Sequence, residues 1–261
     1  MIKHKLPASE YHAYPSLNNS GIKQLLKSPA HYQAYLAEPH EQTKAMLIGS
    51  ATHSAVLEPH LFEAEYIAMP DGIDRRTKEG KAAYAELEAS GKTILYADDY
   101  ENVLQISKAV RTHDTAGRLL GMGEAEVSIF TEIDGVPAKC RADWLRQRCI
   151  VDVKTTDDAS PEGFARSIAK YGYDIQAAWY LDCCAAAGIE AYTFVFVAVE
   201  KSAPYAVGIY ELDYASLEVG RSKYQRALSL WKHCTATDEW PGYSPEIITL
   251  SLPAWAMKEA A

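Results

Sequence analysis

Residues 150–156 read Ile-Val-Asp-Val-Lys-Thr-Thr, an apolar, β-branched run interrupted by an acid at Asp152 and an amine at Lys154. Such side chains suit a strand, and the alternation of a strand puts residues two apart on one face. A carboxylate and an ammonium on one face of a buried strand are costly to desolvate, so the pairing needs a reason. Two readings stand here. One is a metal site, with Asp152 on a divalent cation and Lys154 beside the neighbouring water or phosphate. The other is a structural ion pair at a sheet edge.

Working outward, Glu126–Glu132, Val136–Leu145 and Arg148–Thr155 read as three consecutive strands. Asp134-Gly135 is a strong hairpin turn between the first two, and Gln147 sits in a tight turn before the third. Asp143 falls on the second strand, and adjacent antiparallel strands can set it beside Asp152, with Cβ atoms about 5 Å apart when directly opposite. Two carboxylates that close repel unless a proton or a cation separates them. Mg²⁺, a binder of hard oxygen ligands, suits the purpose. Lys154 would then neutralise a phosphate or, with a depressed pKa, help to deprotonate water.

The rest of the pattern is helices before the meander and a helix and strands after it. Residues 16–37 read as two short helices broken at Ser28-Pro29, the first capped by Asn19 or Ser20. Further helices are expected over 45–58, 75–89, 98–113, 173–188 and 213–234, with strands at 93–96, 192–199 and 206–212. The expected fold is therefore α/β or α+β, one mixed sheet flanked by helices, and residues 1–261 read as a single domain.

Several side chains near this framework carry chemistry or packing. His53 lies in a helix of small and apolar residues, where a lone histidine usually packs rather than ligates; it would serve a metal only if the acid pair is real. Gln176 and Tyr180, four apart, share one helix face and read either as packing or as groups that orient water or phosphate. Glu126 alternates with apolar neighbours and reads as a solvent-facing acid, with an inward role open. Glu58 reads as a helix-end surface residue.

Composition bounds the function. The chain has 261 residues, 48% hydrophobic and 23% charged, as in ordinary globular proteins. A net charge of −9 argues against a general nucleic-acid coat, but leaves room for a local basic channel. Arg75, Arg76, Lys78 and Lys81 form one candidate cluster, Arg141, Arg146 and Arg148 another. No apolar run reaches the length of a membrane span, the N-terminus lacks a signal-peptide core, and the five cysteines make no disulfide framework, so a cytoplasmic location is expected. There is no P-loop, GxSxG, dinucleotide fingerprint or zinc-finger spacing.

Taken in order, Asp143, Asp152-Val-Lys154 and Gln176-x-x-x-Tyr180 resemble the PD-(D/E)XK nuclease superfamily. The chain looks most like the exonuclease domain of the exodeoxyribonuclease VIII (RecE-type) family. The likeness also takes in Leu17–Gly21, Gly49–Pro59, Arg75–Lys81, Cys140–Trp144, Tyr173–Tyr180, Thr237–Pro241 and Thr249–Ala256. It implies a 5′→3′ exonuclease that acts on the ends of linear double-stranded DNA and leaves 3′ single strands for phage-type recombination. It also implies Mg²⁺ (or Mn²⁺), a ring-like homo-oligomer and a single-strand annealing partner. Residue by residue, His53, Asp143, Asp152 and the Val153 carbonyl match metal ligands, Lys154 the catalytic lysine, and Gln176 and Tyr180 the helix motif. Ser20, Arg75, Arg76 and Thr155 are candidate contacts to the substrate phosphates. The large N-terminal extension of the longest relatives is missing, so a nuclease module alone is expected. The cysteine spacing predicts no iron–sulfur cluster. Two rivals remain open: an endonuclease of restriction or repair, and a non-catalytic DNA-end binder.

Overall fold

The computed structural model describes residues 1–38, 42–70, 72–73 and 75–253. The expected Trp255-Ala256 portion of the C-terminal motif lies outside them. The chain runs β1 (Ile2–Lys3), α1 (Ala8–Ala13), α2 (Asn19–Lys27), α3 (Pro29–Ala37), α4 (Lys44–Leu57), α5 (Pro59–Glu65) and β2 (Tyr66–Met69). It continues through α6 (Lys78–Ala89), β3 (Thr93–Tyr96), α7 (Ala97–Thr112), α8 (Asp114–Leu119), β4 (Glu124–Ile133), β5 (Val136–Arg146) and β6 (Arg148–Thr156). Last come α9 (Pro161–Tyr171), α10 (Tyr173–Ala186), β7 (Ala191–Glu200), β8 (Val207–Glu211) and α11 (Tyr214–Thr237).

The central six-stranded sheet has the order β1-β4-β5-β6-β7-β8. Every neighbouring pair is antiparallel except β6 and β7, which run parallel. The expected α+β fold, a mixed sheet flanked by helices, is what forms. Asp134 and Gly135 both take positive φ, 51° and 77°, the backbone of a two-residue hairpin turn whose twist matches the strands.

β6 and β7 are buried on both faces, and their side chains alternate between two cores. Ile150, Phe194, Phe196 and Ala198 join the main core with α10, α11 and α2. Val151, Val153, Val197 and Val199 join a second core with Val56, Ile106 and Val110 from α4 and α7. On the first side, α10 is fixed to β5 by the Trp179 indole, which donates to the Lys139 carbonyl at 3.1 Å. α11 clasps α10 through Arg221, whose Nε donates to Asp182 at 2.9 Å, and through Lys223, 2.6 Å from Asp174. On the second side, α7 holds the end of α4, since Ser107 donates to the Ala55 carbonyl at 2.7 Å and Arg111 to that of Val56 at 2.9 Å.

Local chemistry explains where the expected boundaries move. The cap of α2 is Asn18, accepting from the Gly21 amide, so Asn19 and Ser20 stand inside the first turn rather than at the cap. The helix expected from residue 75 begins at Lys78, capped by Thr77. The helix expected over 45–58 ends at Leu57, and Pro59 just beyond it starts α5, where its missing N–H costs nothing. α9 was not expected, although Ser160 as N-cap, Pro161 in the first turn and left-handed Gly172 at its end mark it clearly. Among the described residues no helix is long and apolar enough to cross a membrane.

Candidate metal centre

The site lies where β5 and β6 part. Their ladder pairs Arg146 with Cys149, Leu145 with Ile150 and Trp144 with Val151, and there it stops. The next register position would join Asp143 to Asp152. The strands diverge at that point, and the Val153 amide freed from the ladder donates to Asp143 Oδ2 at 3.0 Å instead. The two acids are therefore brought together by a split in the sheet, not by a closed cross-strand pair.

Asp152 is fully buried on the α10 side. Its Oδ1 accepts from the Gln176 amide at 2.7 Å. Lys154 Nζ sits 2.5 Å from Oδ2, so this buried oxygen is held by the lysine ammonium. Burial, and then the charge of Asp143, pushes Asp152 up to about 6. Burial pulls Lys154 down, but the carboxylates of Asp152 and Asp143 outweigh it and hold the ammonium above the ordinary lysine range. Without a cation, Lys154 is thus held as an ammonium. The Tyr173 ring lies 5.1 Å from its Nζ.

His53 reaches the same place from α4. Its Nε2 lies 2.9 Å from the Val153 carbonyl and its Nδ1 3.7 Å from Asp143 Oδ2. A carbonyl only accepts, so the proton of a neutral ring belongs on Nε2 and the Nδ1 lone pair then faces a carboxylate. Glu126 is the member that sequence reasoning put elsewhere. It is not turned to solvent: its carboxylate, the His53 ring and Asp143 have ligand atoms within 4.8 Å of one another. It carries a positive φ of 52° and falls opposite Asp143, between the pairs Ala125–Trp144 and Val127–Ala142. Burial first, then Asp143, pushes Glu126 up to about 7.

An open cleft of about 750 Å³ leads to these three residues. Ser20, Arg141 and Tyr180 line it, and so does Glu58, which is therefore a wall of the site rather than plain surface. Arg141 is tied down by Ser128 at 3.0 Å and the Leu6 carbonyl at 2.8 Å, with Glu126 at 3.6 Å. Burial raises the Tyr180 phenol well above its usual range, so it stays protonated. Arg146, Arg148, Arg75 and Arg76 do not converge here. Arg146 donates to the Arg118 and Leu119 carbonyls, and Arg148 lies 3.9 Å from Glu190. Arg75 stacks on Tyr84 at 3.9 Å, and neither it nor Arg76 is among the residues lining the cleft. Thr155 borders a different cleft.

The donor set fits a divalent cation. An imidazole and two carboxylates converge, a third carboxylate adjoins them, and the charge of Asp143 pushes up both Glu126 and Asp152, so a cation would relieve the mutual repulsion. Oxygen donors with one imidazole suit Mg²⁺ or Mn²⁺. The five cysteines are buried thiols, three of them (Cys140, Cys183, Cys184) in the main core.

The profile of a family described as a PDDEXK-like domain of unknown function (DUF3799) matches residues 18–251. The chain belongs to this PDDEXK-like family. No curated protein matches it significantly. Among solved structures, a Eubacterium rectale protein designated a candidate exonuclease is 15% identical, with a TM-score of 0.65 over 99% of either chain. That likeness shows a shared fold. A phage-related exonuclease from Haemophilus somnus 129PT is also 15% identical over 88% of this chain and all of its own, at a TM-score of 0.33.

Proposed function

We propose that this PDDEXK-like chain is a divalent-metal-dependent deoxyribonuclease, and more narrowly a 5′→3′ exonuclease on linear duplex DNA. The observation that carries the reading is the convergence, at the split between β5 and β6, of His53, Glu126 and Asp143 with the buried Asp152–Lys154 pair. The residues that would hold the cation are His53, Glu126, Asp143, Asp152 and the Val153 carbonyl. When bound, it would supply Lewis acidity toward the scissile phosphate and acidify water at neutral pH.

The chain's own groups would do the rest. Lys154, kept as an ammonium, offers positive charge and a proton donor to the phosphate oxygens as negative charge builds in the transition state. Gln176 fixes the rotation of Asp152 through Oδ1, leaving Oδ2 to face the reacting groups. Val153 serves twice, its amide aiming Asp143 and its carbonyl aiming His53. Tyr180 closes the cleft wall as a neutral phenol, and Ser20 in the first turn of α2 offers a hydroxyl where helix dipole and free amides favour a phosphate. A ring of identical subunits around the DNA, and delivery of the 3′ strand to an annealing protein, complete the proposal.

Linear duplexes labelled at the 5′ or the 3′ end, incubated with and without Mg²⁺, test it, with covalently closed circles alongside. Early loss of the 5′ label, cation dependence and intact circles are expected. Asp152→Ala should abolish the digestion while the far-ultraviolet circular dichroism stays native. Wild-type digestion by that variant, or cutting of closed circles, would sink the exonuclease assignment.

A further inference from the structure

A second cleft, of about 450 Å³, opens beyond Tyr173 and shares no residue with the first. Thr155 at the end of β6, Arg166 and Lys170 one turn apart on α9, Tyr171 and Tyr173 at the α9–α10 junction, and Lys201 line it. Tyr173 joins it to the reactive centre, because the same ring lies 5.1 Å from the Lys154 ammonium. Thr155 does so along the chain, being the next residue of the strand.

Three cations gather here on a chain whose net charge is −9. Each is held only loosely. Arg166 meets Asp158 at 3.3 Å and Lys201 meets Asp157 at 3.0 Å, both in exposed pairs. Lys170 rests over the Tyr171 ring at 5.1 Å. Exposed pairs of this kind contribute little and are screened by salt, so a phosphate can displace the acids. Tyr171 is 46% exposed, with its ring 5.7 Å from that of Tyr173. Cations that track a backbone, interleaved with aromatic rings that accept any base, are what a single strand of nucleic acid requires.

We propose that this second cleft carries single-stranded DNA adjoining the scissile phosphate, with Arg166, Lys170 and Lys201 on its phosphates and Tyr171 stacked on a base. The inference rests on the nuclease reading, since a strand threaded past Lys154 is what gives the two clefts a common ligand.

The test is binding of a fluorescent single-stranded DNA oligonucleotide to the full chain, in EDTA and in Ca²⁺, across a range of salt concentrations. Arg166→Ala/Lys170→Ala should weaken binding about tenfold and flatten the plot of log Kd against log salt by about 1.4, roughly 0.7 for each lost phosphate contact. Tyr171→Ala should also weaken binding, and Tyr171→Phe should restore it. Arg226→Ala/Lys232→Ala removes the same charge from exposed positions on α11 and should leave binding near the wild-type value. Equal losses in the two double variants would mean that only net charge is felt, and would overturn the cleft. Unchanged binding by the first variant, or no binding by the wild-type chain in either buffer, would overturn it too. Mg²⁺-dependent digestion by the wild-type chain, measured in parallel, bears on the nuclease reading alone.

Discussion

At the scale of single residues, the decisive feature is that three acids, a histidine and a lysine share a small, partly dry space. Asp152 and Lys154 form a pair that neither member can leave cheaply, because an uncompensated buried charge costs about 3–5 kcal/mol. Removal of the Lys154 ammonium should therefore lower stability as well as activity, whereas Glu126 is only half-buried and should report on the cation. We expect Glu126→Gln to keep its fold and to weaken Mn²⁺ binding, followed by calorimetry, by at least the roughly 10–100-fold seen when groups supporting a ligand are lost. Unaltered affinity would remove Glu126 from the centre. Gln176→Leu should lower the turnover of DNA with little change in its KM, because the amide orients Asp152 and touches no substrate. An effect confined to KM would contradict that positioning role.

At the scale of elements, the site depends on how α10 and α4 are seated. α10 brings Gln176 and Tyr180, and its contact with α11 is close at one point. A Cβ on Gly220 would stand 2.2 Å from the Asp174 carbonyl oxygen, so the helices meet there backbone to backbone. Gly220→Ala should push α11 away and destabilise the protein by about 1–3 kcal/mol, the usual scale of overpacking. Thermal denaturation of the metal-free chain would show it, and an unchanged midpoint would mean that α11 shifts without cost. α4 brings His53, and its own sequence gives no hint of this, since the segment reads as small residues that pack. Its position is fixed by Ser107 and Arg111 of α7, far along the chain.

At the scale of the whole molecule, the centre is built from four elements, α4, β4, β5 and β6, that cohere only in the folded state. A cation that binds this state and not the unfolded chain must raise the melting temperature. At about one hundred times its Kd it contributes about 2.7 kcal/mol, or roughly 5–10 °C for a chain of this size. Mg²⁺ and Mn²⁺ should both produce the shift, and Asp143→Ala should abolish it. A shift that persists in Asp143→Ala would place the cation elsewhere.

The sequence by itself determined the strand that carries Asp152 and Lys154, the meander that precedes it and the Gln176–Tyr180 face. Those are local facts: alternation with period two, an Asp-Gly turn and a four-residue helical spacing are written in neighbouring residues. It also carried the order of motifs by which the family could be recognised. Only the tertiary structure decided that β5 and β6 separate one position short of the acid pair, because the length of a ladder depends on what packs against both strands. Only the register of β4 on β5 decided that Glu126 turns inward, opposite Asp143. A strand's own alternation says which residues share a face, and the rest of the fold says which face meets the cleft.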